Sequence, residues 1–151
     1  MDGHAHIYAA YYAPMAPLTS PSGQPTKAVY VFTQALLNVL QNDKPEMLVV
    51  AMDTKVPSFR VEIYPEYKAH RQPMPEDMPA QIDWIEKILD AVGVPILRVE
   101  GFEADDVIGT LASQASEKGI QTYICSRDKD MLQLLDERTC TLDLKSGKII
   151  D

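Results

Sequence analysis

The chain has no apolar run near the ~20 residues that a membrane-spanning helix needs, so a transmembrane class is not expected. It has no basic stretch leading into an apolar one at its start, so no secretory leader is expected either. Cysteine is scarce: Cys125 and Cys140 are the only two, and they form no CxxC spacing. Reduced, buried thiols in a cytosolic protein are the simplest reading, with a disulfide as the alternative. No internal repeat or low-complexity tract is present. Positive charge is also short. The net charge of -8 lacks the basic excess usual in a nucleic-acid binder.

What remains describes an ordinary folded domain. At 151 residues the chain is one domain by length and buries roughly 70% of its unfolded surface. Hydrophobic residues make up 46% of it, and the mean hydropathy is -0.16. Residues 7–12 are apolar and aromatic, and a Pro-, Ser- and Gly-containing loop covers 14–25. Val29, Phe32, Leu36, Val39 and Leu40 recur at three- and four-residue spacing and predict a helix over 27–41, with Thr26 as N-cap. After Pro45, the continuous run Met47–Met52 predicts a strand buried on both faces, ending at Asp53. A helix is expected over 80–92 from Ile82, Ile85, Leu89 and Val92, with Gly93 as a left-handed cap. A strand at 94–99 leads to Gly101, and Val107, Ile108, Leu111, Ala112 and Ala115 mark a third helix. A strand at 120–125 follows, then a hairpin over 139–150 turning at Ser146-Gly147. Strands alternating with helices predict a mainly parallel α/β sheet, whose site lies beyond the carboxyl ends of its strands.

Acidic residues collect at that edge. Asp53 ends one strand, Glu103, Asp105 and Asp106 follow the next, and Asp128 and Asp130 follow the third, with Asp2 at the chain start. Ionising neighbouring carboxylates is costly without a counter-charge. Hard divalent cations such as Mg²⁺ supply one and prefer oxygen ligands. The 22 acids less these seven leave 15 against 14 Lys and Arg, a balance of -1. Bound cations would offset much of the rest, so acidity does not exclude DNA. A lone acid after a strand is usually a cap or turn former, and Asp105 alone reads equally well that way. Carboxylates at three separate strand ends favour a metal site, one that polarises a phosphoryl oxygen and activates water.

Two further patterns have bland alternatives. His4 and His6 form a His-x-His pair next to Asp2, a zinc signature in amidohydrolase barrels. Such barrels need about 250 residues, so ordinary histidines beside a functional aspartate are the better reading. Residues 54–79 carry five prolines together with Lys55, Arg60, Lys68, His70 and Arg71, interleaved with Phe59, Tyr64 and Tyr67. So long a weakly periodic stretch is functional or mobile. Lys68 and Arg71, three apart, would share a helical face. With Tyr67 as a stacking surface they suit single-stranded nucleic acid. A solvated surface is the alternative.

At these residues the chain resembles the 5′–3′ exonuclease domain of bacterial DNA polymerase I, within the flap-endonuclease superfamily. The matching stretches are Asp2-Gly3-His4, Gly23-Gln24-Pro25-Thr26, FRVEIYPEYKAHRQPMPEDMPAQI at 59–82, VEGFEADDVIGTLA at 99–112 and SRDKDMLQLL at 126–135. They occur in the family's order across nearly the whole chain. The resemblance implies a PIN-like α/β fold, with residues 54–79 as a basic, Pro-rich arch. It implies a two-metal site for Mg²⁺ or Mn²⁺ built from Asp2, Asp53, Glu103, Asp105, Asp106, Asp128 and Asp130. It implies that Lys68 and Arg71, on a helical arch, steer the scissile phosphodiester, with Tyr67 and Arg60 as further DNA contacts. The activity implied is hydrolysis of DNA at 5′ flaps and 5′ ends, with removal of RNA primers, in the cytoplasm at the nucleoid.

Two departures are visible. Arg127 stands where the family usually has Gly, and is expected to pair with Asp128 or Asp130 or to contact phosphate. The family also continues into a helix–three-turn–helix region with two more aspartates, and in polymerases into a polymerase domain. Residues 1–151 are therefore expected to be the N-terminal catalytic lobe, weakly active or inactive alone. The other function classes are an inert nucleic-acid-binding module and a small-molecule hydrolase using His4 and His6.

Overall fold

The short apolar run at 50–52 enters the sheet interior because both of its faces are buried. Val50, Ala51 and Met52 are almost wholly inaccessible to solvent. In the computed structural model, which describes residues Met1–Asp151, β1 (Val50–Ala51) pairs in parallel with β2 (Ile96–Leu97). β3 (Thr122–Ile124) pairs in parallel with β4 (Thr139–Asp143), which turns back into antiparallel β5 (Lys148–Ile150). The first two residues run between these ladders. The Ala51 amide donates to the Met1 carbonyl at 2.9 Å, and the Asp2 amide to the Cys125 carbonyl at 3.0 Å. The mainly parallel sheet expected from the sequence is present. The hairpin turns where expected, with Gly147 at φ +69°.

The chain divides into two compact units. One holds Met1–Ala5, Val49–Arg71 and Ile96–Asp151; the other holds His6–Leu48 and Gln72–Pro95. The first is built on α5 (Ala104–Glu117), which buries Ala104, Val107, Ile108 and Ala112. These pack with Ala51, Ile124 and Met131, flanked by Leu97, Leu111 and Leu134. Each large apolar side chain so buried stabilises the unit by roughly 1.5–3 kcal/mol. The short helix α1 (Gly3–Tyr11) starts in this unit directly after Asp2.

The second unit pairs α2 (Lys27–Asn38) with α4 (Met78–Ala91). Their facing positions are Ala28, Phe32 and Leu36 on one helix and Met78, Ile85 and Leu89 on the other, all buried. Thr26 stands at the N-terminus of α2, but its side chain caps nothing. The buried Gln81 supplies the cap instead, its Oε1 accepting from the Ala28 amide at 2.9 Å. A long-range amide thus satisfies an orphan helix donor that local sequence assigns to Thr26. The helix expected over 27–41 ends at Asn38 and unwinds into a π turn, Val39–Asp43. α4 closes as expected: Gly93 has φ +72°, its amide donates to Asp90 and that of Val94 to Leu89, which is a Schellman cap.

Within 54–79 only α3 (Phe59–Ile63) and the first residues of α4 are helical, and α3 is capped by Ser58 Oγ accepting from the Arg60 amide. Residues 65–70 are turns, and Lys68 itself has φ +56°. The shared helical face expected for Lys68 and Arg71 is therefore absent. Pro65 and Pro73 border this stretch, and proline disfavours a continuing helix at the residue before it. No helix is long and apolar enough to cross a membrane.

Candidate metal and nucleic-acid site

Each acidic side chain reaches the sheet edge by its own local device. Asp2 is buried and acts as the N-cap of α1, with Oδ1 accepting from the Ala5 amide at 3.1 Å. Its Oδ2 accepts from Ser126 Oγ at 3.0 Å. Gly3 makes this approach possible, because a Cβ there would lie 2.8 Å from both Met52 Cγ and Val50 Cγ1. Asp53 leaves β1 with Oδ1 accepting from the Ala104 amide at 2.8 Å, so it caps the start of α5. Its own amide donates to His4 Nδ1 at 3.2 Å. Asp128 opens the 3₁₀ turn Lys129–Leu134, its Oδ1 accepting from the Asp130 amide at 2.9 Å.

Asp105 shows how close these groups stand. Its carboxyl is pushed up from 3.8 to about 6, first by burial and then by the charges of Asp2 and Asp128, with Asp53 adding to them and Lys68 opposing. Carboxylates from four separate segments therefore share one electrostatic neighbourhood. As the side chains stand, no three His, Cys, Asp or Glu residues already form a chelating group. The donor set is nonetheless the right chemistry for a hard divalent ion: all oxygen, and mutually repelling at Asp105.

Glu103 and Asp106 are held differently. Glu103 receives Lys68 Nζ on Oε1, and on Oε2 it receives Tyr67 Oη at 3.1 Å and Arg60 Nη1 at 3.1 Å. Asp106 takes both guanidinium arms of Arg60, at 2.7 and 2.8 Å, and accepts the Glu103 amide at 2.9 Å. The Arg60 bonds hold its carboxyl below the usual carboxylate range. The same bonds raise Arg60 further above its ordinary value. Burial pulls Lys68 down, but its bonds to Glu103 and Tyr67 outweigh that and raise it. A cleft of about 560 Å³ opens here, bordered by Phe59, Phe102, Glu103, Asp105 and Asp130. A smaller one of about 230 Å³ adjoins it, reaching from Asp53 to Lys68.

The expected residues thus converge unequally. Asp2, Asp53, Asp105 and Asp128 come together, while Glu103 meets Arg60, Tyr67 and Lys68. Asp130 lines the larger cleft, and Arg71 is exposed. Arg127 turns away from Asp128 and Asp130, with Nε 3.5 Å from Asp143 at the end of β4. His4 spends its Nδ1 lone pair on the Asp53 amide, a supporting role that suits an ordinary histidine. Ser126 opens the stretch 126–135 but is given no role by the sequence, yet it joins Asp2 to the Asp128 amide, which donates to its Oγ at 3.2 Å. Its place between the strand Thr122–Ile124 and Asp128 is the available signal, since serine there forms a local side-chain turn.

A family profile described as 5′-3′ exonuclease, N-terminal resolvase-like domain, matches residues 1–151. The chain belongs to this family. Similar members include the thermostable DNA polymerase I of Thermus thermophilus, 44% identical over 94% of this chain and 17% of the polymerase. The 5′-3′ exonuclease of Aquifex aeolicus is 38% identical over 99% of this chain and 51% of that protein. The chain therefore spans about a sixth of the polymerases and half of the exonuclease. Among solved structures, a bacteriophage T5 5′-exonuclease with bound zinc ions aligns with TM-score 0.68 at 16% identity, over 99% of this chain and 55% of that one. A bacteriophage T5 flap endonuclease in a pseudo-enzyme-product complex with DNA and metal ions aligns with TM-score 0.67 at 15% identity, over 98% and 55%. These two likenesses establish the family's fold, with its small parallel sheet and flanking helices.

Proposed function

We propose that this chain is the catalytic lobe of a metal-dependent 5′–3′ exonuclease and 5′-flap endonuclease that hydrolyses DNA phosphodiesters. The observation that carries the reading is the crowding at Asp105, where carboxylates from four segments meet at the carboxyl edge of a parallel sheet. The relatives named as exonucleases and polymerases support the same class.

Asp2, Asp53, Asp105 and Asp128, with Glu103 and Asp130 beside them, would hold the ions, Mg²⁺ or Mn²⁺, as a two-metal site. When bound, such ions lower the pKa of water and neutralise charge on the phosphate. The remaining tasks fall to the chain itself. Ser126 and the Ala5 amide hold both oxygens of Asp2, so its carboxylate is oriented before any ligand arrives. The Ala104 amide holds one oxygen of Asp53, and His4 fixes its backbone by accepting the Asp53 amide on Nδ1. Lys68 stands on Glu103, and its charge is felt at Asp105; its ammonium would pass from Glu103 to the transferring phosphoryl oxygens. Arg71 would grip a neighbouring phosphate, and Tyr67 would offer a face to the adjoining base. A water oxygen would attack phosphorus in line as the bond to the 3′ oxygen breaks; the water gives its proton to solvent and the departing 3′ oxygen takes one from solvent, leaving a 5′-phosphate and a 3′-hydroxyl.

DNA with a 5′ flap or 5′ end is the substrate, and RNA primers are a further one. That substrate places the work at the nucleoid, in the cytoplasm. Titration with Mn²⁺ followed by cleavage of a labelled 5′ flap tests the proposal. Saturable Mn²⁺ uptake is expected, with cleavage that is weak in residues 1–151 alone, stronger in a longer chain, and dependent on the ion in both. Flap binding with no metal-dependent cleavage, in a longer chain extended beyond residue 151, would favour an inert binding module instead.

A further inference from the structure

We infer that Arg60 and Asp106 are a positioning pair, which fixes the start of α3 against the first turn of α5 so that Tyr67 and Lys68 arrive at Glu103. The inference rests on the nuclease reading and gives Arg60 a role other than gripping DNA. The guanidinium fork meets both oxygens of Asp106, at 2.8 and 2.7 Å. This planar, two-bond geometry matches a carboxylate and is not reproduced by lysine. Asp106 is itself fixed, because its Oδ2 also accepts the Glu103 amide at 2.9 Å. The face of the guanidinium lies 4.7 Å from the Phe59 ring centre, and Phe59 meets Phe102 at 5.5 Å. The Phe59 amide donates to the Gly101 carbonyl at 2.8 Å. Backbone, aromatic and charged contacts thus all join residues 58–60 to 101–106.

From that anchor the chain runs through turns to Tyr67 and Lys68, which close on Glu103. A phosphate could take Arg60 only by leaving Asp106, a carboxylate only 24% exposed, without its partner. Such a half-broken pair is costly. Arg60 is therefore spent on protein geometry.

The two roles give opposite signs in one experiment. If Arg60 grips phosphate, Asp106→Asn frees it and strengthens flap binding, whereas Arg60→Ala weakens binding. If the pair positions the arch, both substitutions act in the same direction. Flap affinity in Ca²⁺ is expected to fall about three- to tenfold in each, and the double variant to be no weaker than the weaker single. Amide hydrogen exchange over 61–71, without metal or DNA, is expected to rise at least about tenfold in both, while exchange in α4 stays unchanged. Arg60→Lys, which keeps the charge and loses the fork, should fall between wild type and Arg60→Ala in both measurements. Tighter binding in Asp106→Asn, multiplicative losses in the double variant, or unchanged exchange over 61–71 would overturn the pair. A wild-type chain that binds no flap DNA would count against the nuclease reading alone, and the exchange data would still decide the pair.

Discussion

The acidic edge has two halves that look alike in sequence and differ in how their charge is answered. Glu103 and Asp106 are met by Arg60, Lys68 and Tyr67 from the arch. The carboxylates of Asp2, Asp53 and Asp128 are met by backbone amides and Ser126, and Asp105 beside them is pushed up to about 6. Neutral donors orient a carboxylate without satisfying its charge. Cations satisfy the charge and, by doing so, compete with any metal. The comparison teaches that the two halves differ in kind: one, the open half, keeps unanswered charge, as the proposed metal site requires, and the other ties residues 60–68 to the start of α5.

The sharpest break between the halves comes from removing one charge at a time. Asp105→Asn and Asp128→Asn delete two of the metal ligands proposed for the open half. Each is expected to lower flap cleavage by roughly 10³-fold or more, on the scale of removing a principal electrostatic element from an active site, and to lower Mn²⁺ uptake in a direct titration. Wild-type rates in either variant would remove that half from the site. Lys68→Ala acts on the neutralised half and should cost less, about 10²-fold in cleavage. Because Lys68 and a metal compete for Glu103, the same variant should bind Mn²⁺ no more weakly than wild type. A loss of Mn²⁺ affinity would show that the two halves are not separate in this sense.

Much of the fold and of the acidic edge is legible in the sequence, and the parts that are not share a physical cause. The apolar runs ending at Asp53, before Glu103 and before Asp128 predict parallel strands with acids at one edge, because burial on both faces leaves a local signature. Gly93 and Gly147 are legible as turn glycines for the same reason: their conformations are local. What fails depends on distant partners. Thr26 looks like the cap of α2, yet Gln81 from α4 reaches its first turn. Arg127 lies beside Asp128 in sequence but pairs with Asp143 in space. Lys68 and Arg71 carry the spacing of a helical face, but prolines at 65 and 73 and the left-handed Lys68 leave turns there. The split of the acids into two halves is likewise hidden, since it depends on where Arg60 and Lys68 arrive from 35 to 46 residues away.

A smaller effect tests how rigidly the open half is built. Gly3 has no room for a side chain, since a Cβ would also stand 2.9 Å from the Ala51 carbonyl oxygen. That oxygen is backbone and cannot swing aside. Gly3→Ala is expected to destabilise the fold by about 1–3 kcal/mol, the usual cost of overpacking, seen as a lower midpoint in thermal or urea unfolding. It should also weaken Mn²⁺ binding, because Asp2 is the next residue and moves with the strand. Unchanged metal affinity in a destabilised variant would mean that the open half tolerates displacement of Asp2.

The smallest expected effect is in the metal-free chain, and its sign is opposite to the loss of function. Burial, then Asp2 and Asp128, raise the Asp105 carboxyl from 3.8 to about 6 in the folded state. A carboxyl whose folded value lies above its unfolded one holds its proton more tightly when folded. Its contribution to stability is therefore complete below about pH 4 and is lost as pH rises through about 6. Asp105→Asn keeps the neutral form at every pH. The variant should match wild type near pH 4 and be more stable at pH 7 by about 1 kcal/mol, a figure already reduced for the group's partial exposure to solvent. Metal reverses the comparison, because ligation at Asp105 must displace the proton. Mn²⁺ affinity of the wild type should then climb between pH 5 and 7, while Asp105→Asn loses most of that climb. Urea unfolding at pH 4, 5.5 and 7, in EDTA and then in Mn²⁺, reads both signs. A stability difference that stays flat with pH would place the like-charge crowding elsewhere than at Asp105, and with it the boundary between the two halves of the acidic edge.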